Sequence, residues 1–315
     1  MSGNGIVANI SCRKGYDGTD VADAVWYMGT QDTLVGVEEF VLLVHGYNDH
    51  RSYAQCAYEK FIQQCDAISE GAFTSRFKIV TLQWPGDQLN PVKGVVDYPG
   101  SLEHAIGSSA ILATFLAGLA TLQAARKQTL RVHWVAHSLG NRVVLETIAA
   151  LRGAEVGIQF PTLAMLASAV RSNMLEKDTY LRSAALAPDS TAVLHSTGDD
   201  VLRWAFPPGQ TISGDGFFPE ALGHNGDPSS LTHNSQAFNW FGHSDYWFSP
   251  YSVAYVLSAL GLAVDRNVIP SGTANYVAPQ ANATPSNTTA SRSTPVWIPT
   301  SRPSKFQNPC EPKQS

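Results

Sequence analysis

A serine sits between small residues in the stretch Ala136-His137-Ser138-Leu139-Gly140. A serine hydroxyl is a poor nucleophile at neutral pH. It attacks a carbonyl only when a histidine takes its proton and a carboxylate holds that histidine in the right tautomer. A sharp strand-to-helix turn meets the geometric half of that need, because it lifts the hydroxyl above the sheet edge. Such a turn strains the serine backbone and requires small residues two before and two after it. Glycine is the usual first of these; Ala136 is the next smallest residue, so the turn should survive. The five residues alone fit equally well a tight turn whose serine caps a helix. Their flanks favour the nucleophile: residues 130–136 alternate as a strand, and Val144, Leu145 and Ile148 follow at helical spacing.

The partners should lie at the carboxyl ends of later strands, where functional groups gather in open α/β sheets. Asp199 and Asp200 directly follow a strand expected at 191–195, with Gly198 permitting a sharp turn. Asp199 is the favoured acid, leaving Asp200 to cap a short helix at 201–205. The favoured histidine is His243, in Phe-Gly-His-Ser-Asp-Tyr-Trp just before the last helix; His224 and His233 are the alternatives. The order Ser138, Asp199, His243 is that of an acyl-transfer triad on an α/β sheet. Negative charge developing on the carbonyl oxygen needs two N–H donors. Leu139 offers one at a helix N-terminus, and the loop after a strand ending at Val44 offers the other, with Tyr47 preferred over Gly46 and Asn48. Tyr47, His137, Phe238 and Trp240 are the expected substrate contacts, and His45 is expected to brace its loop. No cysteine shows metal-ligand spacing, and no Gly-rich loop follows the first strand, which argues against a nucleotide-binding protein.

These groups require a frame of strands and helices. Residues 39–44 are almost continuously apolar, the mark of a strand buried on both faces, and further strands are expected at 5–14, 77–82 and 161–170. Helices are expected at 51–65, 101–127, 176–186 and 251–262, with a less patterned one around 21–27. The second of these should bury Leu102, Ile106, Leu112, Phe115, Leu119 and Leu122. Strands alternating with helices imply a mostly parallel central sheet flanked by helices. The irregular stretch 206–240 reads as a lid, an acyl groove or a surface loop packing aromatics. The chain thus divides into an N-terminal strand and connection (1–37), a catalytic core (38–265), and a Pro/Ser/Thr-rich tail (266–315) that is disordered or lies on the surface.

Composition narrows the partners. The net charge of −5, without a basic cluster, argues against nucleic acid. The start has no basic stretch followed by an apolar one, so no signal peptide is expected. The longest mostly apolar run, 111–122, is too short to span a bilayer, and a soluble cytoplasmic protein is expected. Cys56 and Cys65, nine residues apart on one helix, face opposite ways and should not bridge. With Cys12 and Cys310 they read as reduced thiols. Oligomeric state has no signature in the sequence.

The segments Leu-Leu-Val-His-Gly-Tyr-Asn (42–48), Ala-His-Ser-Leu-Gly-Asn-Arg (136–142), Ser-Thr-Gly-Asp-Asp-Val-Leu (196–202), Ala-Leu-Gly (221–223) and Gly-His-Ser-Asp-Tyr (242–246), in that order, resemble an α/β-hydrolase. They are most similar to a poorly characterised bacterial, esterase-like branch of that superfamily, over roughly residues 38–262. The resemblance implies a Ser-Asp-His hydrolase without metal or cofactor, and Ala136 departs from the commonest elbow. The expected reaction is cleavage of a small-molecule carboxylic ester, with short to medium acyl chains, through an acyl-enzyme. Lipase or acyltransferase action on the same triad is the alternative, and a non-catalytic binding protein on the same scaffold is the alternative of another class.

Overall fold

The computed structural model describes residues 5–15, 18–27, 34–87, 98–154, 156–176, 179–226, 235–264, 275–276, 296–297 and 308–310. The elements in chain order are β1 (Ile6–Arg13), β2 (Val21–Tyr27), β3 (Glu39–Val44), α1 (Arg51–Ile68), α2 (Ala72–Arg76), β4 (Lys78–Gln83), α3 (Tyr98–Ala125), β5 (Leu130–His137) and α4 (Gly140–Gly153). They continue with β6 (Ile158–Gln159), β7 (Thr162–Leu166), α5 (Tyr180–Ala185), β8 (Ser190–His195), α6 (Phe206–Ile212), α7 (Leu222–Asn225), β9 (Ser235–Ala237) and α8 (Pro250–Ala259).

The main sheet runs in the order β2-β1-β4-β3-β5-β7-β8-β9, with β6 pairing the start of β5. Only β2 is antiparallel to its neighbour. The mostly parallel sheet flanked by helices is therefore the architecture expected. Parallel strands covered on both faces need apolar residues throughout. Accordingly, Phe40 to Val44 and Val132 to Ala136 are all buried. The chain grows outward in one direction through β4 and in the other from β5, so the order reverses around β3. Loops after the strands flanking such a reversal bound a crevice at the sheet's carboxyl edge.

Two elements differ from expectation. Residues 21–27 form strand β2, not a helix: Val21 and Val25 have helical spacing, but Ser11 and Arg13 of β1 pair with Trp26 and Val21. Helix α3 buries a face of small residues, Ser101, Ala105, Ser108, Ser109, Ala113 and Ala120, along with Leu102, Leu112, Leu116 and Leu119. The expected Ile106 and Leu122 point outward instead, 42% and 51% exposed. Small residues let α4 approach closely, and α3 packs on α4 and β2. Counted from Tyr98, α3 is long and apolar enough to cross a membrane, longer than the run read from sequence. Its packing is that of a helix covering a sheet.

The cysteine expectation needs a correction. Cys56 on α1 is joined to Cys310 in a disulfide, with Cα atoms 5.9 Å apart; Cys12 and Cys65 are free and buried. A bond between residues 254 apart has no local spacing to announce it. Most of the expected tail, including 277–295, lies outside the described residues.

Candidate active site

In the sheet, Val44 of β3 stands beside Ala136 of β5, so residues 45–50 and 138–140 leave the same edge together. Ser138 has φ 52°, the left-handed region that a non-glycine residue enters at a cost of about 1–3 kcal/mol. Its surroundings hold it there. Ser138 N–H donates to Leu166 O at 2.9 Å, and Ser138 O accepts from Ala169 N–H and from the Asn141 side-chain amide at 3.1 and 3.0 Å. A Cβ at Gly140 would lie 2.3 Å from His45 O, so only glycine fits where α4 begins. Ala136 is wholly buried in β5, so its methyl is accommodated.

The structure brings Ser138, Asp199 and His243 together. His243 Nε2 lies 2.8 Å from Ser138 Oγ, and His243 Nδ1 lies 2.8 Å from Asp199 Oδ2. Asp199 is fully buried at the turn after β8, and its Oδ1 accepts Leu202 N–H at 3.0 Å. Asp200, expected to cap residues 201–205, is exposed and makes no cap bond; Asp199 receives that N–H instead. Burial opposes charge on Asp199, but His243 outweighs it and holds the carboxyl below its ordinary range. Burial likewise pushes His243 down, yet Asp199, and then Asp49, hold the imidazole above its ordinary value. His224 sits on α7 with Nδ1 on Asn225 Oδ1, and His233 lies outside the described residues.

The loop carrying His243 is fixed from two sides. Asp245 Oδ2 accepts Gly242 N–H at 2.8 Å, and His137 Nε2–H donates to His243 O at 2.7 Å. Burial pushes His137 down to about 3, so it stays neutral with its proton on Nε2. The loop after β3 is fixed by β4. His45 stacks on Trp84, its Nε2 accepts Trp84 N–H at 3.2 Å, and Trp84 Nε1–H donates to His45 O at 2.8 Å. Burial pushes His45 down to about 3 also, which suits the bracing role expected of it. Gly46 N–H donates to Asp49 Oδ2 at 3.0 Å and Asn48 N–H to Gly86 O at 2.6 Å, which argues against either as an oxyanion donor. Leu139, buried at the start of α4, has an N–H with no acceptor among the described residues.

The expected substrate contacts fare unevenly. Tyr47 sits on the loop, half-buried, with its ring edge-on to Tyr98 of α3 at 5.6 Å. Tyr98 in turn meets Phe206 and accepts Gln210 Nε2–H from α6 at 2.9 Å. His137 is 3% exposed and committed to the His243 carbonyl, so it positions the histidine rather than meeting substrate. Phe238 is fully buried and stacked on Phe241, a core residue. Trp240 lies edge-on to Phe241 and Tyr251 with part of its ring at the surface. The rest of 206–240 contains α6, α7 and β9, with Asp215 held by Arg171 at 3.2 Å and Arg142 at 3.5 Å; residues 227–234 lie outside the description. Two residues went unread in the sequence. Asn141 carries the elbow carbonyl, and Asp49 closes the loop after β3; short polar side chains such as Asp bond readily to nearby backbone, the general signal for the latter.

Among the described residues, no group of three or more His, Cys, Asp or Glu side chains is placed to hold a metal ion. Solved structures similar to this chain include the lin2722 gene product of Listeria innocua, at 10% identity and TM-score 0.37, covering 71% of this chain and 94% of that one. Another is lipase B of Aspergillus fumigatus, at 13% identity and TM-score 0.39, covering 80% of this chain and 63% of that one. No curated protein matches. A family model described as "Alpha/beta hydrolase of unknown function (DUF900)" matches residues 32–204, more than half the chain, and the chain belongs to that alpha/beta hydrolase family.

Proposed function

We propose that this hydrolase cleaves carboxylic esters through an acyl-enzyme formed on Ser138. The observation that carries the reading is the His243 ring bridging Ser138 Oγ and Asp199 Oδ2 at 2.8 Å each, on a serine with φ 52°. Ser138 Oγ attacks the ester carbonyl while His243 Nε2 takes its proton. Asp199 stabilises the imidazolium through Nδ1–H, and the developing oxyanion is met by the N–H groups of Leu139 and Tyr47. His243 then protonates the leaving alcohol and, in the second half, activates water to release the acid. Short to medium acyl chains are the proposed substrates. Trp204, Ile212, Phe217 and Phe218, all more than half exposed near α6, favour longer-chain, lipase-like action as a second reading.

The purified protein should turn over p-nitrophenyl esters within a series from acetyl to palmitoyl, and the position of the optimum in that series separates the two readings. A fluorophosphonate probe should label the wild type and spare Ser138→Ala. No turnover across the series together with no labelling of Ser138 would overturn the proposal.

A further inference from the structure

The loop between β3 and α1 holds a second carboxylate at the site. Asp49 Oδ2 accepts Gly46 N–H at 3.0 Å. Gly46 is the residue that touches the elbow: a Cβ there would lie 2.8 Å from Ser138 Cβ, 2.8 Å from His137 Nδ1 and 3.4 Å from Asp49 Oδ2. Asp49 thus sits beside one of the points where the β3 loop meets the serine turn, on a different strand end from Asp199. Asn48, in the left-handed region at φ 60°, reverses the chain so that the Asp49 side chain folds back onto Gly46. Asp49 makes no ion pair among the described residues; the nearby Asp87 is the group paired with Arg13 and approached by His50.

We propose that Asp49 is a positioning residue, holding the β3 loop against the Ser138 turn through Gly46 and presenting a second negative charge to His243. This rests on the serine-hydrolase reading. The charge balance around His243 supports it. The groups acting on the imidazole are Asp199 from the β8 turn and Asp49 from the β3 loop, with neutral His137 from the end of β5. Around Asp49 stand Gly46, His243, Asp87 and His50, and burial raises its carboxyl to about 6. At neutral pH it is the ionised form that faces the imidazolium formed during the reaction. Two carboxylates from the carboxyl ends of two different strands then share the stabilisation of one transient cation.

The test compares Asp49→Asn with Asp49→Ala. Asparagine can still accept Gly46 N–H but carries no charge; alanine loses both. His243 is titrated by NMR in the full-length protein, its resonance assigned by difference from His243→Gln. Asp49→Asn should move its pKa downward and leave Gly46 amide exchange as slow as in the wild type. Asp49→Ala should speed that exchange and, on the ester series, lower kcat about 100-fold with KM little changed, the cost of a slightly misplaced site. An unmoved His243 titration in Asp49→Asn overturns the charge role, and unchanged Gly46 exchange in Asp49→Ala overturns the loop role. Should Asp49→Ala fail to fold, Asp49→Asn decides the charge role, and Asp49→Leu, close in size but without an acceptor, decides the loop role by the same Gly46 exchange measurement. An inactive, unlabelled wild type would sink the hydrolase reading, whereas the titration and exchange measurements would still decide the part played by Asp49.

Discussion

In the proposed reaction, proton transfer from Ser138 requires His243 to be neutral, yet its neighbours favour the charged ring. Burial pushes the imidazole down, but Asp199 and Asp49 together hold it above the ordinary histidine value of 6.5. The sign follows directly: a base with a raised pKa is lost on acidification at a higher pH. The acid limb of kcat/KM is therefore expected above 6.5, measured as a pH–rate profile on the best ester. Asp199→Asn should lower kcat by about 10⁴-fold, because the imidazole loses its tautomer restraint, and should move that limb downward. Asp200→Asn, at an exposed side chain, should change neither. If the Asp200 variant were the inactive one, the acid assignment would be wrong. The sequence favoured Asp199 from its place after a strand and Gly198. It could not show that Asp199 also receives Leu202 N–H, the cap expected of its neighbour.

At the scale of elements, β5, the elbow and α4 were legible because each has a strong local cause. A run of buried β-branched and apolar residues makes the strand, and a small residue is forced where the turn touches β3. Other elements had no such cause. The burial of β2 does not alternate cleanly, and its pairing with β1 is a long-range fact. Helix α3 is apolar nearly all round, so periodicity could not choose its buried face; the close approach of α4 chose the small residues. His137 and Phe238 read as site residues because they neighbour the motifs, whereas side-chain direction turned both inward. The forced small residue gives a sharp prediction. Gly140→Ala drives a methyl toward His45 O, held by Trp84 Nε1–H, and toward Val44, held in the sheet, and should cost about 1–3 kcal/mol of stability. It should also abolish labelling of Ser138, since the helix start moves with the serine. A variant with wild-type melting temperature and full labelling would show that the close approach is not needed. Gly153→Ala, at a position with open space in the same helix, serves as the control.

For the whole molecule, the least legible feature is the tie between residue 310 and helix α1. Cys310 is bonded to Cys56, Cys310 N–H donates to Asn308 Oδ1, and Asn308 Nδ2–H donates to Tyr53 OH, all on or against the first two turns of α1. No periodicity links residue 310 to a helix at 51–68, so composition alone left this end of the chain to the surface. Closing a loop between residues 254 apart restricts the unfolded chain, which by the entropic account stabilises the fold by about 5 kcal/mol, of which about 2–4 kcal/mol is typically realised. Reduced protein, or Cys310→Ser, should therefore melt several degrees below the oxidised wild type. Ester turnover at 25 °C should be unchanged, because the loop before α1 keeps its own bonds to Trp84 and Gly86 whether or not the tail is attached. Coincident melting curves for oxidised and reduced protein would show that the cross-link contributes nothing. Loss of turnover on reduction, with the melting temperature held, would instead make α1 a route from the tail to the Ser138 site.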